Sequence, residues 1–205
     1  MAATNGESRT LLAGAGRVII TPPLGIRMMG YTVQECLAES VERELTATAL
    51  VLDDGACNVV LIGCDLLFIQ SPHVDRIRQR IGAGLGIPAE HVLINTSHTH
   101  LGPTVPGWHI TECPEQTRMQ QRYLDVLEES LVGVSALADR QKQPARIGAG
   151  KGKTSIGVNR RERLPDGRVV IGEDPNGAVD DDVQVIRIDD LAGKPIALVA
   201  AAAAH

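Results

Sequence analysis

Residues 44–69 read ELTATALVLDDGACNVVLIGCDLLFI, and this stretch limits the possible fold more than any other. Its first half alternates apolar and polar residues, the period of a strand. Asp54-Gly55 then supplies a tight turn, and NVVLIGCDLLFI follows as a nearly unbroken apolar run. The pattern predicts a β-hairpin whose second strand is deeply buried. SPHVDRIRQRIGAGLGI comes next. Ser71 stands at the cap position, Pro72 at the first helical position, and Val74, Ile77 and Ile81 on one face before the glycines stop the helix. AEHVLINTSHTH returns as a strand. A buried strand, a helix and another strand within sixty residues point to an α/β layer structure.

The rest of the chain extends this frame. RVIITPPLG is a short β-branched run stopped by Pro22-Pro23, and residues 1–12 are expected to form a loose tail ahead of a domain spanning 13–205. QQRYLDVLEESLVGVSALADRQ carries Tyr123, Leu124, Leu127, Leu131 and Val134 at helical spacing. ARIGAGKG, RVVIGE, DVQVIRID and PIALVAAAAA follow as strands. From the hairpin onward the expected order is β-β-α-β-α-β-β-β-β, an α/β domain with a mixed β-sheet and flanking helices. The five alanines Ala200–Ala204 suit a buried strand poorly.

Composition excludes several functions. With 205 residues and 43% hydrophobic content, the chain can bury a core. A net charge of −5 and 2% aromatics leave neither a basic surface for phosphates nor a stacking platform for bases, so no nucleic acid is expected as a partner. The apolar runs are too short to predict a transmembrane segment, and MAATNGESRTLL has no signal-peptide pattern, so the expected location is cytoplasmic. Cys36, Cys57, Cys64 and Cys113 form no CxxC pair; Cys57 and Cys64 flank or lie in an apolar stretch, which suggests buried free thiols.

Three motifs resemble ligand loops and fail on spacing. GAGKGKT lacks the four-residue gap of a phosphate loop, because Ile147 stands where the first glycine belongs, and SIGVNRRE after it is not a helical pattern. DPNGAVDDD has its glycine at the fourth position, where a calcium loop needs it at the sixth. AGAG near residue 14 is too short for a dinucleotide fingerprint.

NTSHTHLGP, residues 95–103, is different. At a strand end, residues i and i+2 share a face, so His98 and His100 can converge on one point. The apolar HVLI would hold them rigidly, and Gly102-Pro103 would end the strand where α/β sheets commonly place ligands. By itself the pair fits a metal site or a polar turn that satisfies its own backbone. It lacks the Asp and His of the metallo-β-lactamase pattern, and the chain is too short for an amidohydrolase barrel.

An ordered set of segments resembles the neutral/alkaline ceramidase family over residues 14–205. GAGRVIITPPLGIRMMGY is similar to the family's opening Gly-Arg-Ala-Asp-Ile-Thr-x-Pro segment and its Met-Met-Gly-Tyr. ELTATALVLDDG resembles its Leu-x-Ala-Arg-Ala strand, with Thr48 where Arg is usual, and NVVLIGCDLL its strand ending in an acidic residue. HVLINTSHTHLGP resembles Thr-His-Thr-His-Ser-Gly-Pro, with Ser97 for the first Thr and Leu101 for the Ser. GVNRRE is similar to its Asn-Arg-Ser segment, and DDDVQVIRIDDLAGKPIALV to the strand pair leading to a second histidine.

The resemblance implies the N-terminal part of a zinc hydrolase domain, incomplete within these residues. His98 and His205 would be zinc ligands. His100 would sit beside the metal and hydrogen-bond the reacting group, and Arg160 would bind substrate or the developing oxyanion. Met29, Gly30 and Tyr31 would line the pocket mouth. The family's remaining ligands, a Glu and a Tyr, and its catalytic Ser lie downstream of the position of His205. The implied reaction is attack of a zinc-activated water on the amide of an N-acyl lipid such as ceramide. A small-molecule or lipid amide is thus the expected substrate. A zinc hydrolase acting on a non-lipid amide or ester, and a non-catalytic binding domain, remain as alternatives.

Overall fold

The computed structural model describes residues 10–30, 36–105 and 113–204. The chain divides into two compact units, residues 1–144 and 145–205.

The first unit is built on strands β1 (Leu12–Ile19), β3 (Thr46–Asp53), β4 (Asn58–Cys64) and β5 (Val92–Thr96), side by side in that order. The predicted hairpin is β3–β4, antiparallel, with Asp53 opposite Asn58 across the turn. Asp53 and Asp54 close that turn by accepting from the backbone N–H groups of Gly55, Ala56 and Cys57. β5 pairs parallel to β4, so the sheet is mixed, as the sequence predicts. The crossover between them is helix α1 (Ser71–Leu85), followed by a short 3₁₀ turn, Ala89–His91. β4 lies between two strands, and its alternate residues Val60, Ile62 and Cys64 are buried on the face that packs into the hydrophobic core.

Helix α2 (Pro114–Arg140) buries Tyr123, Leu124, Leu127, Leu131 and Val134, the stripe its sequence predicts. They share one core with Ala47, Ala49, Val51, Val60 and Ile62 of the sheet and with Ile77 and Ile81 of α1. Gly14 and Gly16 explain how closely α2 lies against β1. A Cβ on Gly14 would overlap the Ala138 carbonyl, and one on Gly16 would meet Val134 O at 3.0 Å. AGAG is therefore a helix-packing surface.

Several expectations are corrected. Ser71 is the first residue of α1 and does not cap it; Gln70 holds the cap position, and no side chain caps the helix. α2 starts at Pro114, six residues before the predicted periodic segment, because Pro is tolerated in the first turn. β1 starts at Leu12, within the expected tail, because pairing with β3 satisfies its backbone. Cys57 is exposed in the turn, while Cys64 is buried. A two-residue pair, β2 (Met28–Met29) with β6 (Gly102–Pro103), lies outside the predicted elements.

β7 (Gln143–Lys153) begins in the first unit, where Gln143 and Pro144 pair with Ala13 and Leu12, and continues into the second. There β7, β10 (Asp182–Asp190) and β11 (Pro195–Ala202) form an antiparallel ladder, with β10 in the middle. β8 (Asn159–Arg163) and β9 (Val169–Asp174) form a separate hairpin. GAGKGKT lies largely within β7, extended and paired with β10, so it forms no loop around a phosphate. DPNGAVDDD starts with a turn in which Asp174 accepts from Asn176 N and Gly177 N. Ala200–Ala202 do continue β11, opposite Val185–Val183, but on an exposed edge, where small side chains leave no core void.

Candidate functional site

β5 ends at Thr96, and the chain leaves the sheet there. Ser97 N donates to Cys64 O at 2.9 Å, which ties the departing chain to the end of the neighbouring strand. His98 then takes a φ of 56°, left-handed backbone that few non-glycine residues adopt. This corrects the strand-face argument, since His98 and His100 stand past the strand on a turn. They meet all the same, with ring centroids 5.2 Å apart and planes at 73°. Strain of this kind, held by the surrounding structure, concentrates at functional sites.

Two contacts fix the pair. His98 Nδ1 lies 3.0 Å from the carbonyl oxygen of Leu67, which also accepts from Thr96 Oγ1 at 3.2 Å. A carbonyl only accepts, so Nδ1 carries the proton and the neutral ring has its lone pair on Nε2. A metal-ligating histidine is commonly oriented this way by a backbone carbonyl. His100 rests on Gly30. That glycine has φ +122°, and a Cβ on it would stand 2.5 Å from His100 Cβ. The β2–β6 pair supports this approach, with Met29 opposite Gly102, Thr104 N donating to Arg27 O at 2.8 Å and Thr104 Oγ1 to Met28 O at 3.2 Å. Met29 is buried, so its part at a pocket mouth would be through its backbone and packing.

Asp65, at the end of β4, accepts from Thr46 N and Thr46 Oγ1, both at 3.0 Å, and thereby holds the start of β3. Its main chain lies under the turn: Asp65 O is 3.7 Å from where a Cβ on Gly102 would stand. Tyr31 and His205 lie outside the described residues. Arg160 is in β8 of the second unit. It lines a cavity of about 650 Å³ together with Val158, Arg161, Ile171, Val179 and the backbone end at Ala202–Ala204. The described residues thus bring together His98, His100, Met29 and Gly30. The Leu67 carbonyl and the Gly30 contact were not readable from the sequence, although the positive-φ requirement is consistent with glycine at position 30.

Among the described residues no group of three or more His, Cys, Asp or Glu converges to hold a metal ion. His98 fits one ligand position by its tautomer, and the described residues do not complete a set.

No family model matches the chain, and no curated protein matches it. Solved structures do. A neutral ceramidase from Pseudomonas aeruginosa superposes with a TM-score of 0.75 at 21% identity, covering 95% of this chain and 32% of that one. A ceramidase complexed with C2 gives a TM-score of 0.74 at 21% identity, covering 94% and 31%. The fold is that of part of a neutral ceramidase. The chain spans about a third of the length of these ceramidases. Among the described residues no helix is long and apolar enough to cross a membrane.

Proposed function

We propose that the chain is part of a ceramidase-like zinc hydrolase that cleaves the amide bond of an N-acyl lipid such as ceramide. The observation that carries this reading is the His98–His100 pair, with the His98 tautomer set by the Leu67 carbonyl, in a fold shared with neutral ceramidase.

His98 would hold the metal through Nε2, with His205 as a second ligand and the remaining ligands further along the protein. Zinc bound there supplies Lewis-acid polarisation of the carbonyl and acidifies a water. His100, packed on Gly30 beside the His98 ring, would donate a proton to the departing amine. Arg160 would bind the carbonyl oxygen as it gains charge, a role whose loss typically slows turnover by about 10²–10³. Met29, Gly30 and Tyr31 would shape the mouth through which the acyl amide enters.

Zinc stoichiometry and amidase rate, measured on the full-length protein and two variants, test the assignment. His98→Ala is expected to lose metal and activity together. His100→Ala is expected to keep its zinc and lose about 10²–10⁴ in turnover. If His100→Ala loses zinc as completely as His98→Ala, both are ligands and the division of roles is wrong. A panel of N-acyl substrates with and without a sphingoid base tests the lipid preference, and equal rates across it would remove that preference.

A further inference from the structure

In the first unit, a groove of about 490 Å³ runs between the end of β1 and the face of α2. Its floor is apolar: Met119, Tyr123 and Leu127 from the helix and Ile20 just after β1. Tyr123 donates its hydroxyl to Ile20 O at 2.8 Å, so the floor presents the ring, and the phenol is already satisfied. Ile19 and Val126, 59% and 64% exposed, form apolar walls open to solvent.

The groove is polar at one end. Arg118 and Arg122 stand one turn apart on α2 near its start, and Glu115 also lines this end. Among the described residues neither guanidinium has a hydrogen-bond or ion-pair partner, which leaves this end an excess of positive charge. A groove of about 490 Å³ with two cationic side chains, Arg118 and Arg122, beside an apolar lining of Met119, Tyr123, Val126 and Leu127 matches one ligand chemistry: a single long acyl chain ending in an anionic group.

We propose that this groove binds a long-chain carboxylate, with the head on Arg118 and Arg122 and the chain lying over Met119, Tyr123 and Leu127 toward Val126. The arginine fork accepts a carboxylate through paired hydrogen bonds, and the chain displaces water from the apolar floor. The proposal does not depend on hydrolysis, since it concerns binding at residues separate from His98 and His100.

The test is fluorescence titration of the protein with cis-parinaric acid below its aggregation concentration. Saturable binding is expected, displaced by palmitate and not by butyrate. The double variant R118Q/R122Q is expected to bind about tenfold more weakly or worse, and the methyl ester of the probe should show a similar loss against the unmodified protein. Val126→Glu, at an exposed position, should abolish binding with the circular dichroism spectrum unchanged. Arg43→Gln, away from the groove, should bind as the parent does. Equal affinity for acid and ester, or parental affinity in R118Q/R122Q or Val126→Glu, would overturn the proposal. So would a dimer that Val126→Glu dissociates with no probe binding, which would assign the groove to a second copy of the chain.

Discussion

Replacing Gly30 with alanine separates two effects that usually come together. The backbone there has φ +122°, so any side chain carries strain, of order 1–3 kcal/mol. The new Cβ would also stand 2.5 Å from His100 Cβ, 2.6 Å from its Cα and 2.7 Å from its Cγ. Carbon atoms in contact prefer about 3.5–4.0 Å, so the turn carrying His100 must retreat by about 1 Å. Overpacking of this kind costs about 1–3 kcal/mol more. Gly25 provides the control: its φ is +82°, and a Cβ there meets nothing within 4 Å. Gly25→Ala should therefore show the strain alone. Urea unfolding should place Gly30→Ala below Gly25→Ala by about 1–3 kcal/mol, and imidazole carbon–proton spectra should show the His100 ring shifted only in Gly30→Ala. A displacement of about 1 Å at a reacting group can cost about 10² in rate, so in the complete enzyme Gly30→Ala should also depress turnover. Equal stability losses in the two variants, with unmoved His100 signals, would refute the claim that Gly30 positions that histidine.

The Lys142 ammonium, 2.9 Å away, together with the Gly55 N–H, holds the Asp53 carboxyl below its usual range. A lowered folded-state value stabilises above the unfolded pKa of about 3.9 and ceases to do so as pH falls through the folded value. Asp53→Asn should thus cost about 1 kcal/mol at neutral pH and nothing in strong acid, as followed by unfolding titrations at several pH values. Burial pushes the Cys64 thiol up to about 12, whereas Cys36, Cys57 and Cys113 are exposed. Ellman's reagent at pH about 8, near the reference thiol pKa, should label three thiols in the native protein and the fourth only in denaturant, and rapid labelling of Cys64 would contradict its burial. GAGKGKT, extended in β7, should show no saturable binding of ATP with magnesium by calorimetry, and micromolar affinity would show that the strand rearranges.

The parts of the fold legible in the sequence are those where one periodicity dominates. Leu124, Leu127 and Leu131 mark α2, and the alternation before Asp54-Gly55 marks the β3–β4 hairpin. β8 escaped prediction because NRRER has no apolar residue to set a period, and β2 and β6 because two-residue ladders have none to show. Gly14 and Gly16 look like loop residues until the helix backbone above them is known. At the site, residue types were readable and geometry was not. The HxH spacing marks His98 and His100 as a pair, but their meeting depends on a left-handed backbone at His98 and a carbonyl thirty-one positions earlier, neither of which any side-chain pattern encodes.

The place of β1 has a consequence for synthesis on the ribosome. One edge of β1 is covered early by β3, its full-length partner. The other edge meets Gln143 and Pro144, which follow the whole of α2, and α2 is also the layer over Gly14 and Gly16. A nascent chain that has emerged only through β5 therefore carries a glycine-lined strand with bare backbone donors on one side and no helix above it. Such an edge is a template for pairing with other chains, and it stays open to them until α2 has been made and packs over Gly14 and Gly16.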